Sequence, residues 1–131
     1  MADIVTPGTQ TVEANDNVLF LLNRVWSKCS RIRHEATSGR IVLLPGLYRV
    51  GFNANLSSAA AGEAILELTQ DGEGVPGAKI QTTLAAGDFA NGAMTVEIRV
   101  CEPCCSSIGV KNIGTAAITV SDANLVVSRI G

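Results

Sequence analysis

The sequence predicts an all-β domain, a single β-sandwich, and three observations predict it. Apolar and polar residues alternate strictly after Pro45-Gly46: Tyr48, Val50, Phe52, Ala54 and Leu56 point one way, and Leu47, Arg49, Gly51, Asn53 and Asn55 the other. That period of two is what a strand with one buried face requires. Short apolar or alternating runs recur at intervals of about ten residues, with turn-forming residues between them and no amphipathic helix among them. The composition agrees: 13 Gly and only five aromatics in 131 residues leave Ala, Val, Leu and Ile to fill the interior, which suits thin sheets and many turns.

Taken in order, residues 1–8, with a Pro7-Gly8 turn, read as a short N-terminal arm, and residues 9–131 as one domain. Gln10–Ala14 is a strand candidate ended by Asn15-Asp16-Asn17, a turn by composition. Val18-Leu19-Phe20-Leu21-Leu22 is apolar throughout, the pattern of a strand buried on both faces, which in a small all-β domain implies a subunit interface. A short buried helix reaching Trp26 is the rival reading. Lys28–His34 follows with Cys29 and Ile32 inward, and after Thr37-Ser38-Gly39 comes a second apolar run, Arg40–Leu44. The strand containing Tyr48 and Phe52 is next, then a small-residue loop, Ser57–Gly62.

Ala64–Gln70 alternates with Leu66 and Leu68 inward. A turn region runs from Asp71-Gly72 to Pro76-Gly77, Lys79–Leu84 is a weaker strand, and Ala85–Gly92 is a loop carrying Phe89. Met94–Val100 alternates apolar against charged. Cys105–Asn112 and Thr115–Val120 flank an Ile113-Gly114 turn, and Ala123–Ile130 closes the chain as a last strand. The count is eight to ten strands, the spacing of a sandwich or barrel rather than of an α/β fold.

Charged residues make up 17% of the chain, against the roughly 25% usual for a soluble domain, and the mean hydropathy is +0.29. Part of the surface is therefore expected to be covered by other subunits. A net charge of −2 makes no electrostatic case for nucleic acid. Residues 24–49 nonetheless hold Arg24, Lys28, Arg31, Arg33, Arg40 and Arg49 against one acid, Glu35, while residues 1–20 hold Asp3, Glu13 and Asp16 and no base. Solvated strand faces account for such a pattern, and a docking patch for an acidic partner is the sharper alternative. The N-terminus shows no basic region followed by an apolar segment, and no apolar run approaches the roughly 18 residues of a membrane span. The expectation is synthesis in a cytoplasm without a secretory signal, and no membrane partner.

Four cysteines are the most tempting chemistry: Cys29, and the cluster Cys101-Glu102-Pro103-Cys104-Cys105. A zinc site wants four ligands, usually as two pairs. Cys101, Cys104 and Cys105 with Cys29 supply one pair and two single residues, and His34 substitutes only where the fold brings it near. A redox Cys-x-x-Cys opens a helix after a strand, whereas this one lies between two strands. Reduced thiols are the default, with a disulfide between Cys29 and the cluster as the product of later oxidation.

Gly72-Glu73-Gly74-Val75-Pro76-Gly77 matches G-x-G-x-x-G by letter, but Pro76 removes an amide and a strand-like run follows where a phosphate-binding helix is needed. No serine stands in a Gly-x-Ser-x-Gly setting to pair with His34. Glu63, Glu67, Asp71 and Glu73 lack the aromatic platforms expected around a glycosidase pair. Asn55-Leu56-Ser57 is a glycosylation triplet made incidental by the missing secretory signal. The expectation is a protein that is not an enzyme, with no catalytic residue, cofactor or metal.

A resemblance adds what spacing does not. Leu44-Pro45-Gly46-x-Tyr48-x-Val50-x-Phe52, followed by a strand ending in Gln70-Asp71-Gly72-x-x-Val75-Pro76-Gly77, is similar to the TNF/C1q-like jelly-roll superfamily, in its bacterial and bacteriophage branch. Ser107–Gly114, Ala117–Val120 and Ala123–Ile130 carry the same likeness. Thr9-Gln10-Thr11-Val12-x-Ala14-Asn15-x-Asn17-Val18-Leu19-Phe20 resembles small virion proteins of phages infecting gut Firmicutes and related bacteria. The resemblance implies a jelly roll of about ten antiparallel strands in a compact homotrimer, displayed on a surface. Unlike collagen-like and spore-coat relatives, this chain has no Gly-X-Y stalk, which favours a knob seated directly on a shell.

The functional expectation is a virion structural protein, a trimeric capsid decoration or head-fibre protein whose partners are itself and the major capsid protein or another virion protein. A receptor- or glycan-binding knob of a phage tail or bacterial surface fibre is the alternative. Val18, Phe20, Leu22, Ile41, Leu43 and Tyr48 are the candidates for core or threefold contacts. Residues 1–17 with the basic set Arg24, Lys28, Arg31 and Arg33 are the candidates for docking to the shell.

Overall fold

The computed structural model describes residues 2–20, 22–26, 32–34, 39–58, 61–101 and 105–130, with the backbone alone for Ala2, Pro7, residues 22–26, 33 and 34. Among the described residues ten strands form: β1 (Ala2–Val12), β2 (Leu22–Trp26), β3 (Ile32–His34), β4 (Ile41–Leu43), β5 (Gly46–Ser57), β6 (Gly62–Gln70), β7 (Glu73–Leu84), β8 (Phe89–Val100), β9 (Ser106–Asn112) and β10 (Ile118–Arg129). They build two five-stranded sheets, ordered β2-β1-β10-β5-β8 and β3-β4-β9-β6-β7. All the pairings are antiparallel. No described residue is helical.

β5 shows why these residues make these elements. Tyr48, Val50, Phe52, Ala54 and Leu56 are all buried, as the alternation predicts, and the residues between them face out. Opposite them the second sheet sends in Leu66, Leu68, Ile80, Leu84, Ile108 and Val110. Each large side chain so buried contributes about 1.5–3 kcal/mol, and two such inner faces make the interior of a sandwich. Phe20 meets Phe52 edge to face, ring centroids 6.2 Å apart and planes at 84°.

Several expectations need correction. Residues 2–8 are not an arm: they form the first part of β1, with Ala2 opposite Val127 and Ile4 opposite Leu125, and Ile4 is fully buried. Pro7-Gly8 is a bulge rather than a turn, because the register jumps between Thr6 and Thr9. Gly8 takes φ +81, and its N–H donates to Asp122 Oδ1 at 3.1 Å. Directly across, Asp122 at φ +51 interrupts β10, which is why Thr115–Val120 and Ala123–Ile130 read as two strands although one strand runs through both.

The run from Val18 is likewise not buried on both faces. Val18 and Phe20 are fully buried while Leu19 between them is 45% exposed. The cause is backbone pairing: Asn17 bridges to Lys111 and Val18 N–H donates to Val110 O at 2.8 Å, so the segment alternates like any strand. The Gln10 carboxamide then clasps Leu19 as a peptide would, donating to Leu19 O at 2.8 Å and accepting from Leu19 N–H at 2.9 Å.

The loop expected over Ala85–Gly92 is shorter, since Asp88 N–H closes a tight turn on Ala85 O at 3.1 Å and β8 begins at Phe89. The letter match to G-x-G-x-x-G falls at a hairpin: Asp71 and Gly72, both at positive φ, form a two-residue loop between Gln70 and Glu73, and a strand follows it.

Candidate functional site

The outer face of the first sheet is a regular surface that register alone defines. Four rows cross β1, β10, β5 and β8. Thr11, Thr119, Ser57 and Phe89 make the first, and Thr9, Ser121, Asn55 and Asn91 the second. Val5, Asn124, Asn53 and Ala93 make the third, and Asp3, Val126, Gly51 and Thr95 the fourth. Ser128, Arg49 and Glu97 continue the pattern, with Arg49 Nη2 at 2.9 Å from Glu97 Oε1.

The side chains on this face are short, and several satisfy one another. Asn91 Nδ2 donates to Asn55 Oδ1 at 3.1 Å, and Asn124 Nδ2 donates to the Asp3 carboxylate. Gly51 leaves open space above β5, its nearest neighbour being Thr95 Oγ1. Between the Arg49–Glu97 pair and Phe89, which is 63% exposed, the charges among the described residues are Asp3, buried and bonded to Asn124, and Asp122 at the bulge of β10, exposed and accepting from the Gly8 N–H. Short side chains lose little rotamer freedom when covered, and carboxamides offer both donors and acceptors to a facing surface.

The sequence-predicted contact residues lie elsewhere. Val18, Phe20, Ile41, Leu43 and Tyr48 have no exposed surface in a single chain, so their place is the chain's own interior; the Tyr48 hydroxyl reaches the Leu44 carbonyl. The excess apolar surface expected over Val18–Leu22 and Ile41–Leu44 reduces, among described side chains, to Leu19 with half-buried Val42 and Leu44. The side chains of Leu22, Arg24 and Arg33, and residues Lys28, Arg31, Cys29 and Cys104, fall outside the described set. The backbone puts residue 24 on β2 and residue 33 on β3, the strands that end each sheet on the side away from β7 and β8.

Cys105 is disulfide-bonded, contrary to the default of reduced thiols, and Cys101 is free and exposed. Among the described residues no three His, Cys, Asp or Glu side chains are grouped to hold a metal ion.

A second feature sits on the outer face of the second sheet. There a hollow of about 450 Å³ is lined by residues of the 15–17 segment, Arg40, Thr69, Gly72 and the outward side of β9. Beside it the Asp71 carboxyl is held below its ordinary 3.8, chiefly by the Ser107 backbone N–H and the Ser106 hydroxyl, with a smaller pull from Arg40. The Ser107 N–H donates to Asp71 Oδ1 at 2.9 Å.

Sequence reading missed the asparagines of the first sheet, taking them for ordinary solvated positions. The signal was present in the outward residues 51, 53, 55, 91, 93 and 95, none of which is charged, whereas a solvent face usually carries Lys and Glu.

Two five-stranded antiparallel sheets in this order define a TNF/C1q-like jelly roll. No protein-family model and no curated protein sequence matches the chain, but solved structures do. The globular domain of zebrafish complement 1qA matches with a TM-score of 0.69 at 11% identity, over 95% of this chain and 94% of that one. The Eiger TNF of S. frugiperda matches with 0.73 at 9% identity, over 98% and 92%. The vertex protein P5 of PRD1 matches with 0.55 at 16% identity, over 99% and 96%. At such identities the likeness is one of fold.

Proposed function

We propose that this chain is a non-enzymatic structural protein of a phage particle, which associates with itself through the outer face of the first sheet and decorates the capsid as a homotrimer. The observation that carries the reading is the face of short side chains from Thr9 to Thr95, uncharged across β5 and β8 between Phe89 and the Arg49–Glu97 pair, a surface suited to a flat protein partner. The TNF/C1q-like fold supports a structural or binding role, and a phage vertex protein shares that fold over nearly its whole length. Because residues 2–12 are committed to the first sheet, docking to a shell falls to residues 13–17 and to the basic set Arg24, Lys28, Arg31 and Arg33. A receptor- or glycan-binding knob is the second reading, favoured by the polar hollow beside Arg40.

Light scattering behind a sizing column tests the association. The expected mass is about 41 kDa, three times the 13.6 kDa chain. Gly51→Arg, which meets no clash within its own chain, is expected to reduce the mass to that of the monomer. A native monomer at micromolar concentration, or a Gly51→Arg variant that still associates, refutes the assignment of this face. Capsid occupancy unchanged by Arg31→Glu with Arg33→Glu refutes docking through the basic segment.

A further inference from the structure

The hollow on the second sheet exists because β9 is completed along one edge by two separate pieces of chain. β4 pairs with residues 106–108, and the 15–18 segment pairs with residues 110–112. The latter bonds run from Asn15 N–H to Asn112 O at 2.7 Å, from Asn112 N–H to Asp16 O at 2.9 Å and from Val18 N–H to Val110 O at 2.8 Å. Gly109 lies between the two pieces, and a Cβ there would stand 2.9 Å from the Gly39 carbonyl oxygen. Glycine at both positions lets the two pieces close on β9, with the Gly39 carbonyl and the Asn17 carboxamide packed over Gly109, and the recess opens beside them at Thr69, Gly72 and Lys111.

The groups around that recess are chemically mixed in an informative way. Arg40, near enough to Asp71 to pull its carboxyl down, carries a planar fork of donors of which one side suffices for a second carboxylate, and Lys111 adds a point charge. Asn15 and Asn17 supply carboxamides, each both donor and acceptor. Asp16 contributes an acceptor-only carboxylate, which suits the hydroxyls of a polyol and repels a ligand carrying a second negative charge. A volume of about 450 Å³ falls in the range of small-molecule sites, roughly 300–1,000 Å³, and is ample for one or two sugar rings.

We propose that this hollow binds a singly charged sugar acid, a hexuronate, with its carboxylate toward Arg40 and Lys111 and its hydroxyls on Asn15, Asp16 and Asn17. A neutral hexose lacks the ionic anchor. A phosphate lacks the hydroxyls, and its second charge meets Asp16. Among the described residues no aromatic side chain lines the recess, so affinity for a single ring is expected to be weak, on the order of millimolar. The site gives the knob reading its ligand class, yet it does not depend on self-association or on a capsid.

The test is a titration of the isotopically labelled full chain with sodium D-glucuronate, followed by backbone amide shifts. Saturable shifts confined to Asn15, Asp16, Asn17, Gly72, Gly109 and Lys111 are expected, with D-glucose binding at least about tenfold more weakly. Arg40→Gln, at an exposed position, is expected to keep a dispersed spectrum and to lose about tenfold or more of the glucuronate affinity. Lys111→Gln is expected to lose less. Absence of saturable shifts overturns the proposal, as does Arg40→Gln binding unchanged. Equal shifts with sodium acetate or sodium phosphate overturn it too, since they mean a simple anion site without sugar recognition.

Discussion

Replacing Phe52 by Ala tests whether the alternating side chains of β5 face the interior of the sandwich. Phe52 is 2% exposed, faces Leu125 on β10 and Met94 on β8, and stands edge-on to Phe20 at 6.2 Å. Truncation removes the ring and leaves a cavity in a tightly packed layer, a loss of about 3–5 kcal/mol. Of that, about 0.5–1.5 kcal/mol belongs to the ring pair and is recoverable as coupling in a cycle with Phe20→Ala. With an unfolding entropy near 0.28 kcal/mol/K for 131 residues, a loss of 4 kcal/mol lowers Tm by about 14 °C. The assay is urea and thermal unfolding at one fixed protein concentration, because association would add a mass-action contribution. The neighbouring Asn53→Ala, on the outward face, is expected to stay within about 0.5 kcal/mol of the parent. A Phe52→Ala loss below about 1 kcal/mol, or an Asn53→Ala loss equal to it, would refute the assignment of the two faces.

Three further outcomes are expected. The Asp71 carboxyl is held below 3.8, so its contribution is present above that value and is lost as pH falls through the lower folded value. Asp71→Asn, which tolerates the same positive φ, is therefore expected to destabilise the neutral protein slightly and to flatten the fall in stability below pH 3.8; an acid limb identical to the parent's would count against this. Ser121 Oγ is buried with no hydrogen-bond partner, so Ser121→Ala is expected to be neutral or stabilising by up to about 1 kcal/mol in urea unfolding; a clear loss would show the hydroxyl to be bonded. Gly109→Ala sets a methyl 2.9 Å from the Gly39 carbonyl oxygen and is expected to cost about 1–3 kcal/mol, with amide shifts centred on residues 17, 39 and 109 as the second readout.

The sheet architecture was legible wherever period two ran unbroken, as in Tyr48–Leu56. It was obscured at Pro7-Gly8 and at Asp122, because a bulge and a turn use the same residues and differ only in what lies across from them. Leu19 misled for a related reason: an unbroken apolar run does not reveal that residues 17 and 18 pair with β9 and so alternate. The outer face of the first sheet was half visible, since β5 shows Gly51, Asn53 and Asn55 pointing together. Joining them to Asn91 and Asn124 needs a register that spans seventy residues and is set by the whole sandwich. The hollow was not visible at all, because Gly39 and Gly109 carry no sign in the sequence that each makes room for the other.

The pairing of β1 with β10 sets the order of assembly against the order of synthesis. β10, flanked by β1 on one side and β5 on the other, leaves the ribosome more than a hundred residues after β1 has begun. At about 5–20 residues per second, β1 waits roughly 6 to 25 s for its partner. Until then the first sheet is two unjoined pieces, with Ile4 and Phe52 lacking the strand that lies between them. Closing so long a loop comes late and all at once, and a nascent chain stalled before β10 exposes the inner faces that a chaperone would grip.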